Sequence, residues 1–252
     1  MSSPLLIETC PQATVLTLNR PERKNALSPA LLHALRDALR QPAQVFVITG
    51  AGSVFCAGGD LGPSEDDGFL GQHDARRAFA DLLLQISRSR VPIVAAVNGD
   101  ALGGGFGLAA ACHLLVADER ARFATPELKL GLFPWMIGPV LMRALPQKVV
   151  HDCVLTGRRL SAAETQGYGL VARVCPPGEV REAALALASE VGAWSPAVTG
   201  LGLESLARTA DLPLEAALAY MHGQLSINLM MEDAGEGVSA FLSRRAPVWK
   251  GR

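Results

Sequence analysis

Two short stretches hold more glycine than their surroundings explain. Residues 99–112 read GDALGGGFGLAAAC and residues 55–60 read FCAGGD. Glycine disfavours helix by about 1 kcal/mol relative to alanine, so a bare backbone in an otherwise helical stretch asks for a reason. Glycines at a helix N-terminus let a ligand approach closely and aim N–H groups, with the positive end of the helix dipole, at developing negative charge. Each stretch lies beyond a short apolar run, VFVITG (45–50) or PIVAAV (92–97), that reads as a buried parallel strand. Two such loops could point two N–H groups at one oxygen. The plain alternative is that Gly103–Gly105 only allow tight helix–strand packing and Gly58–Gly59 only turn the chain. Asp60 and Asp100, beside these loops, read as cap or turn residues.

Other chemistries fit less well. Gly105–Ala110 matches the G-x-G-x-x-A dinucleotide pattern, but the acid ending the next strand, Asp118, comes about thirteen residues after Gly105 where about twenty are needed. His33, His73, His113, His151 and His222 lie far apart, with no HExxH and no cysteine at ligand spacing, so no metal site is expected. No G-x-S-x-G elbow occurs. The formal net charge of -1 gives no electrostatic reason to expect nucleic acid or an anionic membrane as partner. The N-terminus has no basic start and only a three-residue apolar run, unlike a signal peptide. Asn98, Asp100 and His113 argue against a membrane span over 93–117. Five scattered cysteines without CxxC spacing read as reduced thiols in a cytoplasmic protein.

The elements that must position these loops follow from pattern. Strands are expected at LLIET and ATVLTL, and a helix capped by Ser28, with Pro29 in its first turn and Leu31, Leu32, Leu35 and Leu39 on one face. VFVITG, a loop over 51–73, a helix through Arg76–Ser89, PIVAAV, the glycine stretch and LLVAD (114–118) follow. The alternation persists to about residue 190, and Ser161-Ala-Ala-Glu164 is a capping box. After Ser195 only helical faces remain. The reading is an α/β core over 1–193 and an all-helical region over 194–252. With 49% hydrophobic and 19% charged residues, a sizeable core is available.

The blocks GSVFCAGGDL, PIVAAVNGDALGGGFGLAAAC and ARFATPELKLGLFP, in this order, resemble signature blocks of the crotonase (enoyl-CoA hydratase/isomerase) superfamily. NRPERKNALS and EDAGEGVSAFLSRRAPVWKG are similar to its terminal blocks. The resemblance implies a crotonase-like spiral of ββα units with a C-terminal all-helical region, assembled as a homotrimer or dimer of trimers. It implies an acyl-CoA thioester substrate, with coenzyme A part of the substrate and no separate cofactor, whose carbonyl sits between the N–H groups of Gly59 and Gly104. Hydratases of the superfamily use two glutamates. One is present as Glu127 in Thr125-Pro126-Glu127, although a glutamate after proline also simply opens a helix. The other position is Gly107, where a restored glutamate would test the difference. A single glutamate resembles the isomerase pattern, in which one carboxylate moves a proton between carbons. By the same resemblance Phe133, Trp135 and Met136 line the acyl pocket, Arg23, Lys24 and Ala57 meet the CoA moiety, and Phe241 and Arg244 reach the nucleotide from a neighbouring subunit. Two alternatives stay open. One is decarboxylation of a carrier- or CoA-linked acyl group, for which none of Arg76, Arg77 or Lys129 is clearly placed. The other is a catalytically silent acyl-CoA-binding relative.

Overall fold

The computed structural model describes residues 3–60 and 68–252. Its first half repeats a ββα unit; after the opening hairpin and α1, each unit sets one strand in a large sheet and a short one in a small sheet before the next helix or 3-10 turn. The chain runs β1 (Leu5–Thr9), β2 (Thr14–Leu18), α1 (Pro29–Ala38), β3 (Phe46–Gly50), β4 (Val54–Cys56), α2 (Gly68–Ser87), β5 (Ile93–Val97), β6 (Asp100–Leu102), α3 (Gly104–Ala111), β7 (Leu114–Asp118) and β8 (Arg122–Ala124). The large sheet has six strands in the order β1-β2-β3-β5-β7, closed by β10 (Arg173–Cys175); the small one has four, β4-β6-β8 and β9 (Leu160–Ser161). Apart from the antiparallel pairs β1–β2 and β8–β9, every pairing is parallel. This is a spiral of ββα units, as the resemblance implies.

The continuous apolar runs of the central strands follow from burial on both faces. Phe46 and Ile48 of β3, and Ile93, Ala95 and Val97 of β5, join the core shared with α1, α2, α3 and the small sheet. The alternate residues Val47, Val94, Ala96 and Val116 join a second core under α7 (Val180–Gly192), whose Ala184, Leu187 and Ala188 pack there. Ser28 caps α1 by accepting from Leu31 N at 3.3 Å, and Leu31, Leu32 and Leu35 are buried while Leu39 only packs against the core. The Ser161–Glu164 capping box opens α6 (Ala162–Gly167). The expected helix through Arg76 begins earlier, at Gly68. The part of the expected loop over 61–67 lies outside the described residues. The helix extends through Gly71 because its downstream anchors Leu82, Leu83 and Ile86 outweigh a glycine's cost of about 1 kcal/mol.

A 3-10 turn at Pro126–Leu130 leads to α4 (Gly138–Ala144) and α5 (Gln147–Thr156). After Cys175 there is no further strand among the described residues: α7 is followed by α8 (Pro196–Thr209), α9 (Leu214–Leu229) and α10 (Glu232–Leu242). The C-terminal residues are tied to α10 by Asp233, which is buried and accepts from Ser195 Oγ, Lys250 N and Gly251 N at 2.6, 2.7 and 3.0 Å. Burial alone would raise its pKa, but these hydrogen bonds outweigh it and hold the carboxyl below its ordinary value. No helix among the described residues is long and apolar enough to cross a membrane.

Candidate active site

The first glycine loop is fastened by the segment just before α1. Ala57 N donates to Lys24 O at 3.0 Å, Leu27 N to Gly58 O at 2.8 Å, and Asp60 N to Leu27 O at 3.4 Å, so Leu27 and Gly59 form a parallel bridge. In such a bridge the residue between the two bonded peptides turns its own N–H away from the partner strand. Gly59 N–H accordingly has no acceptor among the described residues. Gly58 takes φ +101, a left-handed backbone that glycine adopts without cost. Buried Asn25 holds the fastening segment: its side chain donates to Ala51 O and Val54 O at 2.9 and 2.7 Å and accepts from Arg20 N at 3.0 Å. Sequence reasoning passed over Asn25 and Arg20, because nothing local marks a loop asparagine as buried.

The second loop comes to the same place. Gly103 N donates to Ala124 O at 2.8 Å, and Gly104 opens α3 with its N–H unpaired among the described residues, as the first N–H of a helix must be. A Cβ built on Gly104 would stand 3.5 Å from Gly59 N, and one built on Gly58 would stand 3.1 Å from Gly104 N. The two glycine loops, each with an unpaired N–H, therefore lie directly against one another. Other glycines of the stretch have the plainer role: a Cβ on Gly105 would lie 2.2 Å from Cys56 O, so α3 packs on β4 only without it.

Glu127 completes the cluster. It does open a short helix, as the plain reading expects, yet its carboxylate turns onto Gly103, where a Cβ would meet Oε1 at 2.9 Å. Gly103 has φ +50 as well, a backbone that side chains rarely adopt, and a Cβ there would displace the Glu127 carboxylate. Oε2 of Glu127 is buried with no partner among the described residues. Burial raises the Glu127 pKa above its ordinary value, opposed by its own backbone N–H.

Gly107, the position of the absent glutamate, is walled off. A Cβ there would lie 2.1 Å from Cγ2 and 2.6 Å from Cβ of buried Ile137. A glutamate at 107 was expected to return hydration only if the site tolerates a side chain, and with Ile137 in place that condition is not met. Both spare acids carry cations: Asp60 pairs with Arg20 at 2.8 Å and Asp100 with Arg159 at 3.2 Å. Each is a member of an ion pair besides whatever cap or turn role its place beside a glycine loop gives it.

Arg23 and Lys24 are exposed, and the Lys24 carbonyl joins them to Ala57 at the edge of the cluster. Phe133 and Trp135 pack ring to ring with centroids 5.0 Å apart and line an open apolar pocket of about 540 Å³ together with Pro139, Met142, Val154 and Leu155. Met136 is half-buried and outside that lining. Phe241, 82% exposed, stands on α10, and Arg244 follows it; among the described residues no hydrogen bond or ion pair joins either to the cluster. His113 accepts from Ile93 N at 3.0 Å, at the start of the inner strand β5. No three His, Cys, Asp or Glu side chains among the described residues come together as a metal site would need.

Known proteins match this chain along nearly its whole length. The enoyl-CoA hydratase/isomerase family profile matches residues 11–252. The chain is 37% identical over 257 aligned positions to the 2,3-dehydroadipyl-CoA hydratase of Escherichia coli K12, covering 99% of this chain and 100% of that one. The crystal structure of an enoyl-CoA hydratase from Mycobacterium smegmatis superposes with a TM-score of 0.93 at 33% identity, covering 98% of this chain and 99% of the other. That of human enoyl-coenzyme A hydratase domain-containing protein 3 gives 0.93 at 30% identity, covering 98% and 100%.

Proposed function

Because the chain belongs to the enoyl-CoA hydratase/isomerase family, we propose that it takes an acyl-CoA thioester and moves its double bond, with Glu127 as the only acid and base. In this reading the thioester oxygen lies between Gly59 N–H and Gly104 N–H. Glu127 takes a proton from C2 of a 3-enoyl thioester. The C–H electron pair passes into a dienolate whose oxygen carries the charge, and the same carboxyl returns the proton to C4. Each hole donor contributes about 3–4 kcal/mol to such an intermediate. Coenzyme A enters as part of the substrate, and no separate cofactor is assigned.

The observation that carries the preference for isomerisation is Ile137. Its methyl occupies the space that a carboxylate on residue 107 would need, and the other nearby acids, Asp60 and Asp100, are held by Arg20 and Arg159. Water addition needs one group to activate water and another to protonate C2, and losing one such group costs about 10²–10⁴-fold. The second reading, hydration of a 2-enoyl thioester, is favoured by the names of the relatives, hydratases among them. Incubation with 2- and 3-hexenoyl-CoA in D2O separates the two. Isomerisation puts deuterium at C2 and C4 and outpaces formation of the 3-hydroxy product, and Glu127→Gln abolishes exchange and turnover while the thioester still binds. Hydration at rates typical of good enzymes would overturn the preference.

A further inference from the structure

The Leu27–Gly59 bridge is uneven. Its Leu27 N–Gly58 O bond is 2.8 Å, but its Asp60 N–Leu27 O bond is 3.4 Å, so the end beyond Gly59 is the slack one. That end carries a second fastening. Arg20 Nη1 lies 2.8 Å from Asp60 Oδ2 and donates to Ala26 O at 2.7 Å. One guanidinium thus grips both chains of the bridge, at the residue before Leu27 and at the residue after Gly59. Arg20 is itself fixed: its N–H donates to Asn25 Oδ1 at 3.0 Å, and its carbonyl accepts from Asn25 N at 2.9 Å. The pair is mostly shielded, with side chains 19% and 21% exposed. An ordinary surface ion pair adds little and is free to splay. This one is anchored at both ends and adjoins the peptide whose N–H is left unpaired.

We propose that the Arg20–Asp60 pair is a positioning device for the Gly59 donor: it holds the slack end of the bridge so that the Gly59 N–H stays aimed at the spot it shares with Gly104 N–H. The inference rests on the reading that a thioester carbonyl enters that spot. Neither side chain touches the reacting atoms in this account. Their effect passes through the backbone of residues 58–60, and small errors there matter because misplacing a catalytic group by about 1 Å can cost 10²-fold.

The test is Arg20→Gln, with Arg20→Lys as partial rescue and Asp60→Asn as the shape-preserving counterpart, each checked by thermal melting. The first readout is the infrared carbonyl stretch of bound hexenoyl-CoA labelled with ¹³C at the thioester carbon, which reports hydrogen bonding at that oxygen whichever reaction follows. The second is the split between kcat and KM for whichever hexenoyl-CoA isomer is turned over. In the wild type the stretch moves to lower frequency than in water. In Arg20→Gln and Asp60→Asn that shift shrinks and kcat falls about 10–100-fold while KM changes less than about threefold; Arg20→Lys lies between. Should Arg20→Gln lose its melting transition, the same two readouts on Asp60→Asn decide. A shifted wild-type carbonyl that the folded variants reproduce, with undiminished kcat, overturns the positioning role alone. An unshifted wild-type carbonyl overturns the hole itself and this inference with it.

Discussion

Glu127 is kept where a carboxylate is uncomfortable. Its Oε2 is buried without a partner among the described residues, and burial raises its pKa above the ordinary 4.5. A native pKa raised over the unfolded one means stability that is full below the unfolded pKa and lost as pH rises through the native one. Above that window the ionised wild type carries a cost that a neutral glutamine does not. Glu127→Gln is therefore expected to raise Tm at neutral pH, an advantage that shrinks as the pH is lowered towards 4.5; differential scanning across pH checks this, and a uniform offset would contradict it. The same shift sets activity, because the base must be ionised: the acid limb of the kcat/KM profile should lie above 4.5. Gly107→Glu should give a destabilised protein without hydratase activity, since overpacking costs about 1–3 kcal/mol and the new carboxylate meets Ile137. Relief requires Ile137→Ala in the same chain. That Gly107 lacked a carboxylate was legible in the sequence. That Ile137, thirty residues later, fills its place was not, because the contact exists only once α4 lies on α3.

Among elements, the segment 20–27 does more than its sequence announces. Asn25 is buried, takes φ +56 and serves three backbone groups at once. Asn25→Ala would leave those groups unpaired and is expected to cost roughly 2–4 kcal/mol in urea unfolding; a loss under 1 kcal/mol, the lower end of a single buried polar group, would mean that the loop rearranges. The neighbouring Arg23 and Lys24 are exposed and, as proposed CoA contacts, act on ground-state binding. Neutralising both should raise KM roughly five- to tenfold with kcat unchanged, and should not alter free fatty acid binding. Signals that depend on neighbours in sequence were readable here: the Ser28 cap and the Ser161–Glu164 box appear where their spacing puts them. The small-sheet strands Val54–Cys56, Asp100–Leu102 and Arg122–Ala124 were not. Three residues are too few to show a period, and these strands are strands only because they pair with one another across turns of the spiral.

At the scale of the molecule, the strands β3, β5 and β7 were legible because two cores demand apolar residues on both their faces. The same logic, turned outward, concerns α9. None of its sixteen residues is buried, yet Leu214, Leu218, Leu225 and Leu229 are 73, 60, 57 and 70% exposed. Spacings of four, seven and four residues put all four within about 60° of one another around a helix of 3.6 residues per turn. Phe241 and Leu242 add 82 and 75% exposed apolar groups on α10, which packs on α8 and α9. An apolar patch this continuous is rare on a protein that stays monomeric, and covering one leucine contributes about 1.5–3 kcal/mol. A second copy of the chain is the natural cover, because closed symmetric assembly satisfies every copy at once. Light scattering at micromolar concentration is therefore expected to give a multiple of the 26.5 kDa chain mass. Leu218→Glu with Leu225→Glu, both already facing water in the single chain, should shift that mass towards one chain with little loss of helix by circular dichroism. A wild-type mass of one chain would show that the stripe is not an assembly surface, and an unchanged mass in the double variant would move the interface elsewhere.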